Sequence, residues 1–202
     1  MKLYFSPGAC SLSPHIVLRE LGIPFQSEAV DLKAKKTKSG ADYRQINPKG
    51  QVPALEMDDG KILTEGAVIV QYLADRKPDA KLAPPAGSAE RYRLQEWLTY
   101  IATEIHKGMG PIFNAKASDE WKQIVRENLS ARFDFLSNAL KGKDYLMGSF
   151  SVADAYLYTI LSWTGYAKMD LAKWPVLKAY VERVAARPAV RATLEAEAKA
   201  NA

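Results

Sequence analysis

The sequence predicts two regions of different fold class, an α/β half built on a mixed four-stranded sheet and an all-α half that follows it. Three observations carry that expectation. From Lys2 to about Asp79 the hydrophobic pattern changes character about every ten residues, as strands alternating with helices do. From Asp79 to Ser88 the stretch DAKLAPPAGS has two adjacent prolines, a glycine and no regular period, which marks a boundary. Beyond it every apolar pattern has helical spacing. The expected domains are therefore 1–79, a linker at 80–88 and a helical domain at 89–202.

In the first half, KLYFS is a short apolar strand. SLSPHIVLRELG is a helix in which Ser11 or Ser13 can cap, Pro14 is tolerated in the first turn and Gly22 is a stop signal. SEAVD is a second strand and DYRQIN a short helix. ALEMD and KILTE are two further strands joined by the Asp59-Gly60 turn, and GAVIVQYLADRK is a helix. The order is βαβαββα. A strand-helix-strand unit makes a right-handed crossover to a parallel strand and an Asp-Gly turn joins antiparallel ones, so the sheet is mixed, the layout of a thioredoxin-like domain.

In the second half, RYRLQEWLTYIATEIHKGM places Leu94, Trp97, Leu98, Ile101, Ile105 and Met109 on one face of a single long helix. WKQIVRENLSARFDFLSNAL is a second amphipathic helix. SVADAYLYTILSW is apolar nearly all round, so it is the buried central helix. Its Ser151 and Asp154 fit S-x-x-D, a capping box that makes Asp154 structural rather than catalytic. WPVLKAYVERVAAR and PAVRATLEAEAK are two last helices separated by Pro188.

Composition narrows the function. A chain of 202 residues that is 48% hydrophobic can bury a sizeable core. One cysteine cannot form an internal disulfide, the start lacks a signal-peptide pattern and no apolar run is long enough to span a bilayer, so the expectation is a soluble, cytoplasmic protein. The net charge of +5 is scattered except in KAKKTK, Lys33 to Lys38, which is read as a solvated face rather than a nucleic-acid site. Two histidines and one cysteine cannot build a Cys/His metal cluster, and neither GxGxxG nor GxxxxGK[ST] occurs, so no metal, nucleotide or other permanently bound cofactor is expected.

The chemistry concentrates at FSPGACSLSPH, where Cys10 stands between a strand and a helix. Amides at a helix N-terminus favour a thiolate there, whether that of Cys10 or of an external thiol. With no second cysteine, any disulfide would be a mixed one with a small thiol. Gln51-Val52-Pro53 lies where a thioredoxin-like domain uses a cis proline, and a cis bond would turn the N–H and C=O of Val52 outward to pair with an extended peptide. Thr64-Glu65-Gly66 opens a helix, so the Gly66 amide can hold an anion and Glu65 a cation. A ligand with a carboxylate and an ammonium on one carbon, next to a peptide and a thiol, satisfies all four places. Glutathione is such a ligand.

PGACSLSPH, NPKGQVPALEMDDGKILTEG, IVQYLAD, YIATEIHKG and SVADAYL together resemble a bacterial beta-class glutathione S-transferase, over essentially the whole chain. That resemblance implies a glutathione transferase fold, a homodimer, and glutathione as co-substrate. It implies Cys10 beside the glutathione sulfur, Lys35 near its glycyl carboxylate, Val52 on its cysteinyl backbone, Glu65 with Gly66 on its γ-glutamyl end, and His106 directed at the thiol. Thr99 would contact glutathione in the same subunit, although relatives often carry Asn there, and Thr103 and Glu104 would reach the γ-glutamyl end from across the dimer. Most of the wider superfamily has Ser where this chain has Gly66.

The implied activity is conjugation of the glutathione thiolate to small hydrophobic electrophiles, a detoxification reaction, with Cys10 and His106 catalytic. Two alternatives stay open: a thiol-disulfide oxidoreductase or peroxidase working through a Cys10 mixed disulfide, and a non-catalytic ligand-binding module. The electrophile is not legible, since Met109, Phe113 and Trp163 fit an apolar pocket and a helix core equally well. His15, on the first helix, is read as a satisfied helix-face residue.

Overall fold

The structure, a computed structural model, describes residues 1–200 and divides into two compact units. The first comprises Met1–Ala83 and the chain from Ala186 onward, the second Pro84–Ala185.

The first unit is built on a sheet of order β3-β2-β1-β4-β5, with β1 at Lys2–Phe5, β2 at Gln26–Asp31, β3 at Lys36–Thr37, β4 at Ala54–Glu56 and β5 at Ile62–Thr64. β1 pairs parallel with β2 and antiparallel with β4, and β4 with β5 antiparallel, as the crossover and the Asp59-Gly60 turn require. The sheet has five strands rather than the expected four. The extra one, β3, lies inside KAKKTK: the Asp31 carboxylate accepts from the amides of Lys33 and Ala34 at 2.8 and 2.9 Å and turns the chain back, so Thr37 pairs with Val30. Two residues among lysines carry no alternating apolar signal, which is why the sequence conceals them.

Helix α1 spans Leu12–Leu21 and is covered on nearly every side, with Leu12, Ile16, Val17, Leu18 and Leu21 in the core. Neither predicted cap acts as one. The Ser11 hydroxyl turns back to Ser6, and Ser13 lies in the first turn with its hydroxyl on the Cys10 carbonyl at 3.2 Å. Gly22 closes the helix in the left-handed conformation at φ 60°, as a stop glycine should. Helix α2 is the short Tyr43–Ile46 and α3 runs over Gly66–Asp75.

The second unit contains α4 (Ala89–Tyr100), α5 (Lys107–Phe113), α6 (Asp119–Leu140), α7 (Val152–Leu161) and α8 (Pro175–Ala185). Helix α7 is buried along its whole length, as its composition predicts. Ser151 and Asp154 form the capping box. The Asp154 carboxylate accepts from the Ser151 amide and hydroxyl at 2.9 and 2.8 Å, from the Leu146 amide at 2.9 Å and from the Tyr180 hydroxyl at 3.1 Å.

Two further expectations change. The single long helix is interrupted by a π-helical turn at Ile101–His106, where the Lys107 amide bonds to the Ala102 carbonyl. Ile101, Ile105 and Met109 are spaced by four and four, a pattern that drifts by about 40° per step around an α-helix. The wider turn takes up that drift, and all three are fully buried. The last helix, α9 (Pro188–Ala200), belongs with the first unit rather than the helical region. It packs on α1, burying Val190 and Thr193, and Arg187 just before it forms a two-pronged ion pair with Glu20 at 2.6 and 2.9 Å. Its amphipathic pattern announces a covered face without saying which element covers it.

Candidate functional site

In the first unit the chain leaves β1, turns through Ser6–Ser11 and enters α1, which sets Cys10 against the loop that precedes β4. The Val52–Pro53 peptide bond in that loop is cis. The Gln51 carbonyl accepts from the Tyr43 hydroxyl at 2.9 Å and the Asn47 side-chain amide at 2.7 Å, and these two bonds fix the loop. The Val52 N–H has no hydrogen-bond partner among the described residues. Its carbonyl, however, is occupied, because the Cys10 thiol donates to it at 3.1 Å.

That bond revises the electrostatics expected of a helix start. Burial is the largest influence on the Cys10 thiol and pushes it up to about 11; the amides of Cys10 and Ser11 pull the other way, and the Glu65 charge adds to the rise. The amides do favour the thiolate, but desolvation outweighs them. Cys10 is therefore a neutral hydrogen-bond donor at physiological pH.

Gly66 begins α3 beside the same loop: a Cβ placed on it would lie 3.7 Å from Pro53 Cγ and 3.9 Å from Ser13 Oγ, ordinary contact distances. The start of α3, the cis proline and the first turn of α1 thus converge. Glu65 holds a φ of +71° and ψ of 111°, an unfavourable region for a side chain with a Cβ and one that costs about 1–3 kcal/mol. Its exposed carboxylate takes the ammonium of Lys49, whose Nζ also donates to Thr64 Oγ1 at 2.9 Å. An ammonium already sits where the sequence predicts a cation. Lys35 donates from Nζ to the Gly50 carbonyl at 2.7 Å, one residue before Gln51.

In the second unit His106 ends the π-helical turn. Its Nδ1 lies 2.7 Å from the Tyr156 hydroxyl, and its ring meets Trp163 edge-on at 5.2 Å between centroids. Burial lowers its pKa, and the charge of Lys107 lowers it further, so the imidazole is neutral at pH 7. Phe113 is half exposed and packs edge-on against Trp163 at 5.9 Å, whereas Met109 is core. Of the three apolar candidates, two stay on an open aromatic cluster beside His106 and one does not.

The remaining residues of the predicted stripe are engaged locally. The Thr103 hydroxyl donates to the Thr99 carbonyl at 3.0 Å, and Glu104 pairs with Arg132 at 3.1 Å. Thr99 is exposed. The π-helical turn changes the spacing on which that stripe rests.

His15 and Glu197 form a buried pair, with Nδ1 2.9 Å from Oε1, and the other carboxylate oxygen accepts from the Gly8 amide at 2.8 Å, two residues before Cys10. Sequence reasoning left Lys49, Tyr156 and Glu197 unassigned. Lys49 stands in NPKGQVP, next to the Val52 motif, where a signal was present; Tyr156 and Glu197 sit on helices whose periodicity shows only burial.

A thioredoxin-like sheet that sets one cysteine at a helix start against a cis-proline loop defines a protein that handles thiols. Residues 8–76 match the glutathione S-transferase N-terminal domain and residues 100–188 the glutathione S-transferase C-terminal domain. The chain is 48% identical over 198 residues to "Glutathione S-transferase GstA" of Escherichia coli O157:H7, covering 98% of each chain. A sphingomonad glutathione S-transferase solved in complex with glutathione superposes with a TM-score of 0.95 at 47% identity, over 98% of this chain and 99% of the other. The beta-class enzyme of Sphingomonas chungbukensis does so with a TM-score of 0.95 at 45% identity, over 98% of each. The chain belongs to the glutathione S-transferase family.

Proposed function

We propose that this protein is a beta-class transferase that conjugates the glutathione thiolate to small hydrophobic electrophiles. The observation that carries the reading is the open N–H of Val52 next to a neutral Cys10 thiol. In this reading the Val52 N–H and C=O pair with the glutathione cysteinyl backbone, and Lys35 takes the glycyl carboxylate. The Gly66 amide and Glu65 take the γ-glutamyl carboxylate and ammonium, the latter displacing Lys49.

Once the glutathione cysteinyl N–H donates to the Val52 carbonyl, the Cys10 S–H can rotate from that oxygen to the incoming sulfur without orphaning either group. There it donates to the glutathione thiolate and lowers that thiol's pKa. Thiolate attack on a carbon bearing a halide forms the C–S bond while the halide leaves with its electron pair; the thiol proton has already passed to solvent. His106 is assigned to the same thiol, Thr99, Thr103 and Glu104 to the γ-glutamyl end, and the Phe113–Trp163 cluster to the electrophile. Homodimerisation, a cytoplasmic location and a detoxifying role complete the proposal; in the described residues no helix is long and apolar enough to cross a membrane.

Ultraviolet titration of the bound thiolate tests it. The expected result is a glutathione pKa well below its ordinary value near 8.5, together with conjugation of an aryl halide that survives Cys10→Ala. An unshifted thiol would overturn the transferase mechanism.

A further inference from the structure

The Val52 N–H belongs to the same peptide plane as the Gln51 carbonyl, and that peptide bond is trans, the cis bond of the loop being the next one, Val52–Pro53. In a trans amide the N–H and the C=O lie in one plane and point in opposite directions. Whatever holds the Gln51 oxygen therefore aims the Val52 N–H.

Two donors hold that oxygen, the Tyr43 hydroxyl at 2.9 Å and Asn47 Nδ2 at 2.7 Å, one for each lone pair. The core fixes both of them: Tyr43 is 0% exposed and Asn47 3%. The Tyr43 ring packs against Tyr4 at 5.8 Å between centroids, in a cluster that includes the Val52 side chain. Its amide donates to the Lys35 carbonyl at 2.9 Å, which ties α2 to the loop that carries Lys35. Burial pushes the Tyr43 phenol up to about 12, so it stays a donor at physiological pH. Asn47 precedes Pro48, which disfavours helix at that place, and it leaves α2 in an extended conformation at φ −130°. The Lys49 amide donates to Asn47 Oδ1 at 3.2 Å, which sets the orientation of the side-chain amide and leaves Nδ2 for Gln51. Donors on a carbonyl also polarise the amide and strengthen its N–H as a donor.

We propose, on the reading that gives the Val52 N–H to glutathione, that Tyr43 and Asn47 are positioning residues of the reaction: by filling both lone pairs of the Gln51 carbonyl they hold the Gln51–Val52 peptide with its N–H aimed at the glutathione cysteinyl carbonyl. Neither side chain touches the ligand. Each acts through the one peptide plane between them and the site.

Calorimetric titration of the full chain with glutathione and with S-methylglutathione tests this. Tyr43→Phe removes the hydroxyl and keeps the ring; Asn47→Leu keeps a similar shape without the donor. Both variants act on the same oxygen, so either one that folds decides the matter. Both ligands should bind roughly fivefold more weakly, because the weakened grip is on the peptide that they share. kcat/KM should fall by a similar factor, carried mainly by KM, and the Val52 amide resonance of the ligand-free protein should move. A side chain needed only for the core would lower the unfolding midpoint and leave affinity, measured well below it, unchanged. That result would overturn the proposal, and so would a loss confined to glutathione, which would place the effect at the thiol. Failure of the unaltered protein to bind either ligand would overturn the glutathione reading itself, and this proposal with it.

Discussion

The Cys10 thiol and the Val52 carbonyl are hydrogen-bonded at 3.1 Å, so the sulfur at the start of α1 and the backbone at the cis proline already share a proton donor and acceptor. With burial pushing the thiol up to about 11, the protein without glutathione holds Cys10 as thiol across the physiological range. Alkylation by iodoacetamide at pH 7.5 should run on the order of a hundredfold slower than for a free cysteine, and its rate should still climb above pH 9. A profile that levels off below pH 8 would show a thiolate instead. Cys10→Ser should keep the donor and most of the conjugation rate. Cys10→Ala should lose about tenfold, the worth of one hydrogen bond of about 1–1.5 kcal/mol.

Glu65 separates stability from binding. Glu65→Gly releases the strain of a positive φ, partly offset by the greater freedom of glycine in the unfolded chain, so thermal stability should stay level or rise by about 1–2 kcal/mol. The KM for glutathione should rise at least tenfold, because the ammonium partner is gone. Glu65→Ala should show the same KM with no gain in stability. Equal losses of stability in both variants would mean that the backbone at 65 is not strained.

Gly66→Ser follows from the space around it. The new Cβ meets only ordinary contacts, and the hydroxyl adds a second donor beside the helix-start amide. The KM for glutathione should fall several-fold with little change in kcat, measured by steady-state kinetics at saturating electrophile. An unchanged KM would place the carboxylate elsewhere.

What the sequence disclosed follows from the range of its signals. Alternation, helical periods, the Asp59-Gly60 turn, the Gly22 stop and the Ser151–Asp154 box are local, and each appears in the structure. The misses are of another kind. β3 is two residues long among lysines, the π-helical turn alters hydrogen bonding without altering which residues are apolar, and α9 has an apolar face whose cover lies more than 160 residues away, with Arg187 reaching Glu20. At the site, position in the sequence pointed to Cys10 and Val52 as candidates, but the direction of the Cys10 shift depends on burial, a tertiary quantity. The notion that helix amides decide it failed because desolvation is larger.

Asp154 is the most heavily bonded carboxylate of the second unit, and its loss should be felt as stability. Asp154→Ala orphans two amides and the Ser151 hydroxyl in a buried place, while the Tyr180 hydroxyl keeps the backbone carbonyl of residue 154 at 3.2 Å, so it should cost about 3 kcal/mol, against about 1 kcal/mol for Ser151→Ala. Urea unfolding should show the difference, while kinetics measured well below the melting temperature stay close to those of the unaltered protein. Similar costs for the two variants would reduce Asp154 to an ordinary cap.

His106 should make the protein acid-sensitive in a defined window. Burial and the Lys107 charge depress its pKa from the ordinary 6.5, so as the pH falls below 6.5 the unfolded chain takes up a proton that the folded chain refuses. Stability is full above 6.5 and declines as the pH drops toward the lower folded value, where the decline ends. His106→Asn should flatten that segment of the pH–stability curve, and Lys107→Ala should shorten it by removing the smaller of the two causes. Tyr156→Phe removes the hydroxyl bound to Nδ1; conjugation should drop several-fold, and the imidazole resonances of His106 should shift while those of His15 hold still. A stability curve with the same slope in His106→Asn as in the unaltered protein would assign the acid sensitivity to other groups and leave His106 without the buried, neutral state on which its proposed role depends.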